Sequence, residues 1–218
     1  MNLRTLVPVP KRATAALVAV VLIGSTAAQP VRSAPPESTP SEIPLSFVSE
    51  VIRMTVEPDS LVVEGTYHLS CGTTTETQVP LLYPYPRDER LGGARTVLLE
   101  ARSAGGSWTP LAINEISSGA GARWGIPVES GQEVEVRTIY KQALKQNYAC
   151  YIVTTTQAWQ QPLQRARFEI RLPPGAQSPK FSYPFMLREL EDGSAYVFET
   201  RGFLPKRDIT VEWKDSGD

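Results

Sequence analysis

One histidine and two cysteines are all that 218 residues offer of the side chains most used for metal and thiol chemistry. A zinc site needs three or four ligands, so His68 alone makes no histidine-based metal centre. His68 and Cys71 stand three residues apart in an alternating run, which puts them on opposite faces and denies the thiol a base. Gly-x-Ser-x-Gly is absent, as is a glycine-rich loop followed by Lys and Ser or Thr, so neither a serine-hydrolase elbow nor a phosphate cradle is written here. No helical repeat exceeds one or two turns. Charge is also missing in excess: 22 basic residues face 23 acidic ones, which argues against a general nucleic-acid binder. No cofactor is implied.

What is present begins with an export pattern. Met1 to Ala28 carries Arg4, Lys11 and Arg12, then an apolar run from Ala13 to Gly24, then small residues through Ala28. The run is short for a membrane span and no later segment is long or apolar enough, so the mature chain is expected to have none. Cleavage is expected after Ala27 or Ala28, with a secreted or periplasmic product; an uncleaved N-terminal anchor is the alternative. Loss of those three basic residues leaves 19 basic against 23 acidic, a formal charge of −4. Residues 29–44 hold Pro30, Pro35, Pro36, Pro40 and Pro44 among Ser, Thr and Glu, the composition of an extended linker.

Residues 45–214 read as one all-β domain, and 215–218 as a tail. Ile52, Met54 and Val56 share a face, as do Leu61, Val63, Tyr67, Leu69 and Cys71 in the next run, with Glu57-Pro58-Asp59-Ser60 as the turn between them. Ala94 to Ala101, the alternation around Glu133 to Thr138, Ala166 to Leu172, Tyr196 to Phe198, and Ile209 to Trp213 supply further strands. Short strands at this spacing predict a single antiparallel β-sandwich, with a barrel as the alternative. Asn147 to Thr156 is apolar on both faces and predicts a covered central strand. Cys71 points to the core, and Cys150 lies in that strand. In an oxidising compartment an inter-strand Cys71–Cys150 disulfide is expected, closing a loop of roughly 80 residues and stabilising the fold by about 4 kcal/mol.

The run Tyr151-Ile152-Val153-Thr154-Thr155-Thr156-Gln157-Ala158-Trp159, followed by Pro162-Leu163 and Phe168 to Pro173, resembles uncharacterised bacterial secreted β-rich domains with a Thr-Thr-x-x-Trp and Pro-Leu/Ile pattern. That resemblance covers the middle and C-terminal half. It implies a β-rich fold and transfers no catalytic residue.

Tyr83, Tyr85, Trp159, Tyr183 and Phe185 fall in proline-bearing connections, where an aromatic side chain is less obliged to fill the core. Together they are the candidate binding surface, suited to a sugar ring or an extended peptide; the competing expectation is that they plug the ends of the sandwich. Arg165, Arg167 and Arg171 read as a solvated face or edge-strand protection. The function expected is non-catalytic binding or scaffolding at the cell envelope, with a protein, peptide or glycan partner. The alternatives are a carbohydrate-binding module and an envelope hydrolase using Asp88, Glu89, Glu189 or Glu191.

Overall fold

The first hairpin follows from alternation. In the computed structural model, which describes residues 45–72 and 78–215, β1 (Leu45–Val56) and β2 (Ser60–Cys71) pair antiparallel, Met54 opposite Val63 and Val56 opposite Leu61. The Glu57 N–H donates to Ser60 O at 2.8 Å and Ser60 Oγ to Glu57 Oε2 at 2.7 Å, which closes the expected turn. The expected signal and linker, residues 1–44, and residues 216–218 of the tail lie outside the described residues.

The remaining strands are β3 (Gln78–Pro84), β4 (Leu91–Ser103), β5 (Thr109–Pro110), β6 (Asn114–Glu115), β7 (Gly121–Pro127), β8 (Glu133–Leu144), β9 (Tyr148–Tyr151), β10 (Leu163–Arg171), β11 (Gln177–Phe181), β12 (Met186–Leu190), β13 (Gly193–Phe203) and β14 (Ile209–Lys214). The fold is mainly β, but it is not the single antiparallel sandwich the alternation predicts. One sheet has eight strands in the order β12-β13-β10-β1-β2-β8-β4-β5, and two others have three each, β11-β14-β9 and β3-β7-β6. Within the large sheet β1 and β10 run parallel, Ile52 beside Phe168 and Met54 beside Ile170. A parallel neighbour needs a long crossover, and the intervening chain provides it while building β2 to β9.

Both small sheets cover the same face of the large one. Tyr83 of β3 brings its ring within 6.2 Å of Tyr67 on β2 and 5.8 Å of Tyr140 on β8, while Tyr151 of β9 lies 6.4 Å from Phe168 on β10. The second layer is therefore split, and one continuous apolar core runs beneath both parts. The opposite face of the large sheet is charged. Glu169, though buried, accepts from Arg53 at 3.3 Å and Arg167 at 2.7 Å, and Arg167 and Arg165 reach Glu199. Since β10 lies inside the sheet, these arginines form cross-strand ion pairs and do not guard an edge.

Cys71 and Cys150 are free thiols, which corrects the expected disulfide. Cys71 ends β2 in the main core, opposite Leu45. In β9 the neighbours Ala149 and Tyr151 face that core, so Cys150 and Tyr148 face away from it, into a small cluster with Leu91. A strand apolar on both sides does not tell which parity looks at the partner cysteine. The strand is also shorter than expected: after Tyr151 the chain turns into a 3-10 helix, Thr154–Trp159.

Candidate functional site

Where the second layer splits, a cavity of about 110 Å³ opens over the middle of the large sheet. Tyr67 and Leu69 of β2, Val136 of β8 and Phe47 of β1 line it from the sheet; Leu81 to Pro84 and Trp124 with Ile126 form one side; Tyr151, Thr155, Thr156, Ala158 and Trp159 form the other. The lining contains no charged side chain.

Local sequence explains how these residues arrive. A β-bulge in β1 places Phe47 opposite Leu69 and Ser49 opposite His68, so one extra residue resets the parity and both Phe47 and Glu50 join the inner face. On the far side Asp208 fixes the turn after β9: its Oδ1 accepts from the N–H groups of Val153 (3.2 Å) and Thr154 (3.1 Å) and from Thr154 Oγ1 (2.7 Å). The 3-10 helix then carries Trp159 to within 5.9 Å of the Phe47 ring and ends at Gln160 with φ 56°. Gly65 gives Tyr67 its place, since a Cβ there would stand 2.2 Å from the Tyr67 hydroxyl.

Beneath the cavity lies a row of hydroxyls ending on a carboxyl. Tyr83 OH and Tyr67 OH are 2.9 Å apart, Tyr67 OH and Tyr151 OH 3.3 Å, and Tyr151 OH donates to Glu50 Oε2 at 3.2 Å. Glu50 is 1% exposed, opposite Tyr67 on one side and Ala166 on the other. Desolvation pushes its carboxyl up to about 8, against a smaller pull down from the Tyr151 hydroxyl, so at neutral pH it is mostly a neutral acid. Burial likewise raises the phenols of Tyr67, Tyr83 and Tyr151 well above their ordinary value. The arrangement offers neutral hydrogen-bonding groups in an apolar, aromatic surround. It brings no nucleophile and base together.

Of the residues singled out in the sequence, Tyr83 and Trp159 line this cavity. Tyr85 lies deeper, 2% exposed, its ring 6.3 Å from that of Tyr83 and its hydroxyl donating to Glu115 at 2.8 Å. Tyr183 and Phe185 belong to a separate aromatic cluster, Tyr183 against Phe198 (5.1 Å) and Phe185 against Phe181 (5.0 Å). His68 is exposed, 4.0 Å from Glu135. The carboxylates hold separate partners: Asp88 pairs with Arg90 at 2.8 Å, which holds it down at about 2, and Glu189 accepts from Ser194 at 2.8 Å. Glu89 and Glu191 are exposed. Phe47, Glu50, Trp124 and Tyr151 were not picked out as site residues from the sequence; the signal for Glu50 was its even parity with Ile52, Met54 and Val56.

Among the described residues no helix is long and apolar enough to cross a membrane, and no group of three or more His, Cys, Asp or Glu is placed to hold a metal ion. No protein-family model matches the chain. No curated protein matches it either. Among solved structures it is similar to a proposed protease of Parabacteroides distasonis, with a TM-score of 0.43 and 12% identity over 78% of this chain. The chain spans 40% of the length of that protein, and a likeness at this level carries no functional argument.

Proposed function

We propose that this chain is a non-catalytic, exported domain that binds a ligand at the cell envelope, with the cavity in its split layer as the binding site. One observation carries the reading: a preformed, uncharged, aromatic-walled cavity with a few hydroxyls at its floor is the usual form of a small-ligand or side-chain pocket. The basic, apolar and small-residue pattern of the first 28 residues supports export, as does the resemblance to bacterial secreted domains. A peptide side chain suits the cavity better than a glycan, because only tyrosine and threonine hydroxyls could meet the many hydroxyls of a sugar. The hydrolase alternative is less favoured, since Asp88 and Glu189 are engaged with separate partners.

The test is a peptide and glycan panel titrated against the exported protein, read by tryptophan fluorescence, since Trp124 and Trp159 both line the cavity. A binder should lose affinity at least tenfold with Trp159→Ala while the β signature in circular dichroism persists. Binding unchanged by both Trp159→Ala and Leu81→Ala would place the site elsewhere.

A further inference from the structure

Resting on the cavity as the binding site, we propose that its occupant is a side chain of an extended peptide that pairs, backbone to backbone, with the free edge of β3. Within its sheet β3 has one neighbour, β7. Leu81, Leu82, Tyr83 and Pro84 in succession line the cavity, so both parities of the strand meet it and it opens along the unpaired edge. Across the gap stand Thr155, Thr156, Ala158 and Trp159 of the 3-10 helix, which offers no strand to fill the edge.

Which backbone groups that edge presents follows from the ladder. The Tyr85 N–H donates to Ala120 O at 3.0 Å, and the Ile116 N–H to Gly121 O at 2.8 Å. Bonded residues alternate along an antiparallel strand. The first bond therefore turns Val79, Leu81 and Tyr83 toward β7, and the second turns Gly121, Arg123 and Gly125 toward β6. The two assignments agree, because the pairs left between β3 and β7 are Tyr83 with Ala122, Leu81 with Trp124 and Val79 with Ile126. Pro80, Leu82 and Pro84 then aim their backbone groups away from β7.

Proline has no N–H, so from Pro80 to Pro84 the edge offers three carbonyls and a single N–H, that of Leu82. None of the four has a hydrogen-bond partner among the described residues. This acceptor-rich edge selects its complement. An extended peptide carries an N–H at every second residue along one edge, at the spacing of the three carbonyls, and a C=O for Leu82. A second copy of β3 does not fit: turned antiparallel about Leu82, it sets Pro80 against Pro84, two carbonyls with no proton between them. Side chains of the added strand alternate, so one parity faces the large sheet and reaches the cavity. Its volume of about 110 Å³ and its lining without charge suit one uncharged side chain, since a carboxylate or ammonium there would be left unpaired.

The probes are acetyl-Thr-Thr-Thr-x-Thr-Thr-Thr-amide peptides with x as Leu, Phe, Asp or Lys, titrated into the exported protein by calorimetry beside N-acetyl-leucinamide and N-acetyl-phenylalaninamide. The Leu or Phe peptide should bind about tenfold or more tighter than the amide with the same side chain, and than the Asp and Lys peptides. Single N-methylation along the better peptide should weaken it at every second residue and be tolerated at the residues between. Leu82→Pro removes the one outward N–H and leaves the bonds to β7, so it should bind that peptide about tenfold more weakly than Leu82→Ala, which keeps the N–H. If the proline variant melts too low to use, the alternation of the N-methyl series on the unaltered protein decides. An amide that binds as tightly as its peptide, or an N-methyl series without alternation, would overturn strand addition and leave the cavity as a binding site. Failure of all four peptides to bind would also overturn it, and the peptide and glycan panel would still decide the broader reading. A synthetic peptide of residues 29–44 that outcompetes the Leu peptide would assign the edge to the chain's own segment in place of a partner. A dimer in sedimentation that the Leu peptide dissociates would assign it to a second copy.

Discussion

Glu50→Gln should change how the stability of the domain depends on pH. The carboxyl is raised from 4.5 to about 8, chiefly by desolvation, with Tyr151, Tyr67 and the backbone of Ala166 around it. For an acid raised in the fold, the native state keeps a proton that the unfolded chain has released, so stability falls as pH rises from about 4.5 to about 8 and levels off above. Each pH unit in that window is worth at most about 1.4 kcal/mol, so by pH 7 the cost approaches about 3 kcal/mol. Glutamine has the same shape and does not titrate. Its amide takes the place of Glu50 Oε1, which has no partner among the described residues, and the penalty of about 1–3 kcal/mol for an unpaired polar atom there is independent of pH. The comparison therefore rests on slope. Urea unfolding at pH 5, 6, 7 and 8 should show wild-type stability declining across the series and the variant losing most of that decline. The carboxylates held down by arginines, Asp88, Asp192 and Glu199, lose their contribution only as pH falls below the ordinary carboxylate range, outside this window. Parallel pH profiles for the two would refute a buried, neutral Glu50.

Tyr85→Ala should lower stability by about 3–5 kcal/mol in thermal or urea unfolding, because the ring is almost fully buried between Tyr83 and Tyr140; a near-normal melting temperature would mean a surface role instead. Gly65→Ala should cost about 1–3 kcal/mol and weaken ligand binding together, since the new methyl forces the Tyr67 ring off its position; an unaffected protein would show that Tyr67 moves freely. Thiol titration of denatured, non-reduced protein should find both cysteines. In the native state Cys150 should react slowly, because burial pushes its thiol up to about 12; absence of free thiol after denaturation would restore the disulfide.

The local part of the fold is legible in the sequence. Period-two alternation places Leu61 to Cys71 and Ala166 to Ile170 on their correct faces, and the Pro-Asp turn makes the first hairpin. The long-range part is not. The parallel pairing of β1 with β10 joins segments more than a hundred residues apart, and nothing in either run encodes its partner. The split of the second layer depends on pieces such as Asn114–Glu115, too short to show any period. The disulfide expectation failed on a narrower point: Tyr148 with Cys150 and Ala149 with Tyr151 are equally apolar pairs, so composition leaves open which pair meets the main core.

The candidate site is hidden in the sequence for a different reason, which is that it breaks the rules that make the rest readable. Glu50 occupies an inward position that alternation reserves for apolar side chains, and the β1 bulge that brings Phe47 to the same face has no sequence signature. Polar atoms on this side of the sheet are under-satisfied: Glu50 Oε1, Trp124 Nε1 and Tyr140 OH are buried without a hydrogen-bond partner among the described residues. Trp124 and Tyr140 pack on Tyr83. Buried polar groups left unpaired each cost about 1–3 kcal/mol, and native proteins hold few of them. Such positions cost stability, and sequence reasoning fails at them because the local pattern and the packed face disagree.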